Sequence, residues 1–340
     1  MKKPREICVD IGNFARAPSL CIATFTALAF VGFTCWPVEL FAHFRVQYVV
    51  LLAIAIPYLL FLERTRINNL YLGAAVGALI ANIVVLLMTS TSLDETQAQP
   101  QIRSRSQTPG LTQKTETTLS LLQFNVNSSS TNYPAFDKLI QKLKPDVVCI
   151  EEVSEGWRQH FDQIKDIYPY QNVRARPDNF GIAILSKYRI DEASREPIGG
   201  IGLPTAFVTL ALPSNTSESR QVQVIATHPL PPVSPGATAM RDKQMHELAK
   251  RIADSKKLTI LAGDFNCTPW SYIFEDFVKE SGLRDSRLNK GLQPTWPTMF
   301  SHLLIPIDHI LSSPQIECTE RNVEGDSGSD HYPVYAKFVL

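Results

Sequence analysis

Three long apolar runs near the N-terminus constrain this chain more than any other feature. They extend from about Leu20 to Trp36, Val46 to Leu62 and Leu70 to Met88, and none contains a charged residue. Each has about the length that crosses a bilayer, roughly 17–25 residues. Helices buried in a water-soluble domain would carry a polar face instead. No small-residue cleavage pattern marks the first run as a signal peptide, and two further runs follow it. The expectation is three transmembrane helices within residues 1–88. Lys2, Lys3, Arg5 and Arg16 precede the first run, Arg45 follows it, and Arg64 and Arg66 follow the second. Placing the N-terminus and the second loop in the cytoplasm puts six basic residues inside and one outside. Everything beyond Met88 then lies on the far side. In a bacterium that is an integral membrane protein with a periplasmic or extracellular domain and the lipid bilayer as a partner. Residues 89–118 are rich in Ser, Thr and Gln and read as a flexible linker.

Charge is unevenly distributed. Residues 1–118 hold 10 basic and 7 acidic residues, while residues 119–340 hold 23 and 26. The C-terminal part is therefore net −3, unlike the basic footprint of a non-specific duplex-DNA binder. The 6 Cys form no Cys-x-x-Cys pair, which argues against structural zinc.

From Leu119 to the C-terminus the pattern is α/β. Strands are expected at Leu119–Val126, Asp146–Ile150, Gly181–Ser186, Thr205–Leu212, Gln221–Thr227, Lys257–Ala262, Pro306–Leu311 and Pro333–Val339. Helices are expected at Ala135–Leu143, Thr238–Ala253 and Tyr272–Glu280. Strands adjoin strands as well as helices, which favours two packed sheets with outer helices. The centre of this part is Gly263-Asp264-Phe265-Asn266, at the end of an apolar strand, where the glycine permits a tight turn. Asp264 and Asn266, two apart on extended chain, face the same side and suit a hard cation with a water or phosphate oxygen.

Polar residues recur at other strand ends, where loops are free of the ladder. They are Asn125, Glu152, His228, Asp308, Asp330 and His331. Glu152 closes the apolar run Val147-Val148-Cys149-Ile150, and a carboxylate there is costly unless paired or bound to metal. Its neighbour Glu151 is expected to point the other way. Asp330 and His331 face opposite sides, so each needs a partner elsewhere. Asp308 is expected to orient His331.

These segments have a recognisable order: Gln123-Phe124-Asn125-Val126, Cys149-Ile150-Glu151-Glu152-Val153, Gly181 to Ser186, Ala226-Thr227-His228, Gly263 to Asn266, Ile307-Asp308-His309 and Ser329-Asp330-His331-Tyr332-Pro333. Residues 119–340 resemble the endonuclease/exonuclease/phosphatase superfamily, which includes DNase-I-like nucleases, inositol polyphosphate phosphatases and bacterial sphingomyelinases. The resemblance implies a four-layer α/β sandwich and Mg²⁺-dependent phosphoester hydrolysis, with Mn²⁺ as an alternative metal. It implies that Glu152 is the principal metal ligand, with Asn125 nearby and Asp330 completing the metal side. It implies that Asp264 and Asn266 position water and a phosphate oxygen. It implies that His331, backed by Asp308, acts as base or stabilises developing charge, and that His228 contacts phosphate or protonates the leaving group. Arg241 and Gln244 fit a recurrent supporting Arg-x-x-Gln element. Asn127 is a departure, standing where many DNA-repair members have Asp. Nucleic acid, phospholipid and small phosphoesters are the competing substrates. Arg174 and Arg176 favour the first. The loops Gly199–Pro204 and Pro297–Phe300 favour the second. A non-catalytic binding module of the same fold is the remaining alternative.

Overall fold

A computed structural model describes residues 4–62, 65–91, 117–213 and 220–340. The chain divides into two compact units, one built from the N-terminal helices with the short segment Thr268–Tyr272 and one from the remainder. The linker expected at 89–118 falls mainly on residues 92–116, outside the described residues.

The N-terminal unit contains α1 (Pro4–Ala29), the short α2 (Trp36–Glu39), α3 (Arg45–Phe61) and α4 (Arg66–Ser90). Among the described residues only α4 is by itself long and apolar enough to cross a membrane. The expectation of three such helices is corrected. The first apolar run is interrupted after Ala29, where the chain turns so tightly that a Cβ on Gly32 would stand 3.1 Å from the Cα of Glu39. Its apolar helical part, Ala15–Ala29, is too short. The second run, α3, reaches the length only together with Trp36–Ala42, from which it is bent by 60°. Arg45, the first residue of α3, is buried and donates to Asn82 Oδ1 at 3.1 Å, and Asn82 donates to Thr26 Oγ1 at 2.8 Å. One polar knot thus ties α1, α3 and α4. Their outer surfaces are apolar, with Ile54, Phe61, Ile67, Leu70 and Ile80 all more than half exposed.

The second unit holds twelve strands in two six-stranded sheets. The first sheet runs β11 (Glu317–Val323), β12 (Val334–Val339), β1 (Thr118–Asn125), β2 (Val147–Glu151), β4 (Ile182–Ser186) and β3 (Tyr170–Arg174). The second runs β5 (Ile190–Pro197), β6 (Pro204–Leu212), β7 (Arg220–Ala226), β8 (Thr259–Asp264), β10 (Asp308–Ser312) and β9 (Arg284–Asp285). Both are mixed: β1 and β2 are parallel, as are β7 and β8, and the other pairs are antiparallel.

Period-two alternation explains the layering. Leu119, Leu121, Val147, Cys149, Ile182 and Ile184 face Ala206, Val208, Val222, Val224, Ile260 and Ile310 between the sheets. The other face of the first sheet, with Leu122, Phe124, Val148 and Ile150, packs on α5 (Tyr133–Leu143) and α6 (Glu155–Gln163) through Phe136, Ile140, Trp157 and Phe161. The remaining helices are α7 (Pro235–Ser255), which buries Met245, Leu248, Ala249 and Ile252, and α8 (Tyr272–Ser281), which buries Ile273, Phe274 and Phe277. The result is two packed sheets with flanking helices, the α/β sandwich expected.

Because β1, β2, β8 and β10 lie centrally and in register, their ends converge. Asn125 pairs with Glu151 across β1 and β2, and Asp308 pairs with Asp264 across β10 and β8.

Candidate active site

Asp264 occupies the centre. Its Oδ2 lies 3.2 Å from Asn125 Nδ2, 3.5 Å from His228 Nε2 and 3.6 Å from His331 Nε2. The turn that follows is fixed by the Asn266 backbone N–H donating to Asp264 Oδ1 at 2.9 Å. Gly263 is required for a different reason from the one its sequence suggested. It lies inside β8 rather than in the turn, and a Cβ there would stand 1.9 Å from the Thr227 carbonyl oxygen. Only glycine lets β7 pass that closely, which brings His228 alongside Asp264.

Behind this cluster His331 Nδ1 meets Asp308 Oδ2 at 2.9 Å, as expected from the sequence. Both side chains are buried. Burial opposes charge on His331, but Asp308, Asp264 and Asp330 outweigh it and push its pKa up to about 10. Burial works to raise Asp308 as well, yet the charge and hydrogen bond of His331 leave it below its ordinary value. Asp264 is raised, first by burial and further by Asp308, although His331 opposes this. His331 is therefore an imidazolium near neutral pH, held between two carboxylates.

Glu152 follows β2 in the left-handed region, at φ 60°. Its Oε1 accepts from Asn125 Nδ2 at 3.1 Å, and its Oε2 accepts from the Ser128 backbone N–H at 2.9 Å. One Asn125 amide thus joins Glu152 to Asp264. Asn127 donates to Asp330 Oδ1 at 2.8 Å, and Trp296 Nε1 donates to Asp330 Oδ2 at 3.2 Å. No hydrogen bond joins Asp330 to Glu152 among the described residues, and Asp330 acts on the cluster through its charge on His331. Asn266 Nδ2 donates to the Pro229 carbonyl at 2.9 Å, bracing the loop that carries His228. Gln244 lies farther back, reaching Thr205 Oγ1 at 3.4 Å, which is 3.3 Å from Thr227 Oγ1. Arg241 is fully buried and pairs with Asp242.

Two participants escaped the sequence reading. Gln123 Nε2 donates to Asp308 Oδ1 and to Glu151 Oε2, each at 2.8 Å. Glu151 does point away from Glu152, but toward the buried network behind Asp308. Its carboxyl is fully buried and raised well above the ordinary range, first by burial and then by the Asp308 charge. The signal was available: Gln123 interrupts the inward series Leu119, Leu121, Gln123, Asn125.

The donor chemistry suits a hard divalent cation. Glu152 and Asp264 converge on Asn125, and no Lys or Arg neutralises either carboxylate among the described residues. Asp264, Asp308 and His331 also offer ligand atoms within 4.8 Å of one another. His331 and Asp308 in that group are hydrogen-bonded to each other, and the group differs from the Asn125, Glu152 and Asp330 set expected from the sequence.

The model of the endonuclease/exonuclease/phosphatase family matches residues 122–331, and the chain belongs to that family. Solved structures agree on the fold. A humanized D. rerio TDP2 superposes with a TM-score of 0.53 at 17% identity, covering 65% of this chain and 98% of that one. An endonuclease/exonuclease/phosphatase from Beutenbergia cavernae gives 0.55 at 18%, covering 66% and 72%. A mannosyl-6-phosphatase from Bacteroides thetaiotaomicron gives 0.50 at 18%, covering 65% and 100%. No curated protein matches the sequence.

Proposed function

We propose that this protein is a divalent-metal-dependent phosphoester hydrolase of the phosphodiesterase type, tethered to a membrane. The observation that carries the proposal is the convergence of Asn125, His228 and His331 on a single Asp264 oxygen, with Glu152 joined through the same Asn125 amide.

In this reading Glu152, with Asn125 beside it, holds Mg²⁺ or Mn²⁺, and Asp330 completes that side through Asn127. When bound, the cation neutralises phosphate charge and favours in-line attack by water. Asp264 orients the attacking water and accepts its proton; burial, which raises its pKa, suits it to that task. His331 stabilises charge rather than acting as base, because Asp308 holds it protonated. His228 faces the leaving group, packed by Phe180 at a ring distance of 5.2 Å. Asn266 and Gln244 keep the loop of His228 in place, and Arg241 supports the same helix.

The tether is α4, whose apolar side chains are exposed along its length. Arg64 and Arg66 flank its N-terminal end, and Arg103 and Arg105 follow within about 15 residues of its C-terminal end. A lipid substrate is a second reading, favoured by the loop after Trp296, where Met299 is 80% and Phe300 48% exposed. Trp296 on the same loop bonds Asp330, so this apolar tip sits beside the site.

The test is hydrolysis of plasmid DNA, RNA, sphingomyelin and bis-nitrophenyl phosphate by the full chain in detergent, with Mg²⁺, Mn²⁺ or EDTA. Cleavage that EDTA abolishes and Asp264→Ala loses is the expected result. No turnover on any of these would leave a narrow-specificity phosphatase or a binding module.

A further inference from the structure

Two amides stand two residues apart on β1, and each meets one acid of the opposite sheet. Asn125 Nδ2 reaches Asp264 Oδ2 at 3.2 Å, and Gln123 Nε2 reaches Asp308 Oδ1 at 2.8 Å. Asp264 and Asp308 are themselves partners across β8 and β10. The first contact lies in the reacting cluster. The second lies behind it, where Gln123, Glu151 and Asp308 are all fully buried.

The Gln123 amide has two N–H groups, and each is aimed at a carboxylate. One goes to Asp308 Oδ1 and the other to Glu151 Oε2, both at 2.8 Å. The amide is therefore held from both sides, by β2 of its own sheet and by β10 of the other. Asp308 is gripped in turn. Its Oδ2 meets His331 Nδ1 at 2.9 Å, its backbone N–H donates to Thr295 Oγ1 at 3.4 Å, and its carbonyl accepts from Arg321 Nη2 at 3.1 Å. Those backbone bonds fix where β10 begins. The bond from Gln123 acts on the carboxylate itself, and so on which way Oδ2 faces.

Stability alone does not explain a polar pair here. The residues before Gln123 on the same face, Leu119 and Leu121, pack into the apolar layer between the sheets, as do Cys149 and Val334 on the neighbouring strands. Burying an amide and a carboxyl costs desolvation, and two apolar side chains of similar size are often as stable or more so. What apolar side chains could not do is hold Asp308.

We propose that Gln123 is a positioning residue of the reaction, setting through Asp308 the direction in which His331 points, and that Glu151 keeps the Gln123 amide turned the way this requires. The proposal rests on the hydrolase reading above and deepens it: three buried groups in series aim one imidazole.

Steady-state rates on bis-nitrophenyl phosphate and thermal unfolding midpoints, measured on the full chain in detergent, test it. Q123M keeps the length of the side chain and removes both donors. It is expected to lower kcat by roughly 10–100-fold, with KM within about twofold of wild type. It also leaves two buried carboxyls short of a donor, so its midpoint is expected to fall. Q123M/E151M removes one of those carboxyls. It is expected to recover much of the lost midpoint and none of the lost kcat. In a D308N background Q123M is expected to cost less than about threefold, because both changes act through the same imidazole. Should Q123M fail to fold, Q123M/E151M carries the same kcat expectation. A kcat that stays at the wild-type level, a loss that lies in KM, a kcat that returns together with the midpoint, or an undiminished loss in the D308N background overturns the proposal. A wild type inactive on bis-nitrophenyl phosphate would defeat the hydrolase reading itself, and this proposal with it.

Discussion

Asp308 and His331 act as one unit, because a 2.9 Å bond holds the imidazole charged and aimed at Asp264. His331→Ala is expected to lower kcat by about 10²–10⁴. Asp308→Asn should cost a similar factor, and the double variant little more than either, as steady-state rates on bis-nitrophenyl phosphate will show. A second histidine tests stability rather than turnover. His309 is fully buried between Phe265 and Phe274, with Nε2 2.8 Å from the Cys267 carbonyl. Burial pushes its pKa down to about 4 from 6.5. The unfolded chain then binds more protons between those values, so stability should be full above pH 6.5 and fall toward pH 4. The loss is on the order of 3 kcal/mol, and His309→Gln should flatten that part of a denaturation-midpoint profile. Most of the residues gathered around Asp264 were legible because each lies at the end of a strand whose apolar run gives its position away. Gln123 and Glu151 were not, because their role depends on the Asp308 carboxylate, 185 residues from Gln123 along the chain.

Among the elements, the central strands were legible and four others were not: β3, β5, β9 and β11. These are the strands at the two edges of each sheet. A strand covered on both faces must be apolar throughout, whereas an edge strand can carry charge. Ile190–Pro197 shows the difference, with Asp191, Glu192, Arg195 and Glu196 in eight residues. Glu196 is held to about 2, chiefly by its hydrogen bond from Arg251. Because its folded pKa is depressed, the pair contributes above about pH 4.5 and is lost as pH falls toward 2. Both partners are about 40% exposed, so screening limits the contribution to about 1 kcal/mol or less. Glu196→Gln should remove that acid-side slope from thermal unfolding midpoints. At the centre, by contrast, Gly263→Ala forces a methyl group against the Thr227 carbonyl. It should cost about 3 kcal/mol in denaturant unfolding and displace His228 as well.

For the molecule as a whole, apolar run length read from the sequence overcounted the spans. Periodicity does not register where a helix bends, and the break after Ala29 and the 60° bend before Arg45 depend on backbone geometry. The membrane proposal predicts that the full chain stays with the membrane pellet after alkaline carbonate extraction, and that removing residues 66–90 releases it. On that reading the charged rims of the sheets have a further consequence. Molecules confined to a bilayer plane meet sideways far more often than they would in free solution, and always in related orientations. Exposed β-strand edges are then the surfaces most prone to pair between copies. Pairing would strip water from the charged side chains of Asp191, Glu192, Arg195 and Glu196 on β5, and that cost opposes it, so the protein can be crowded on a surface without joining edge to edge.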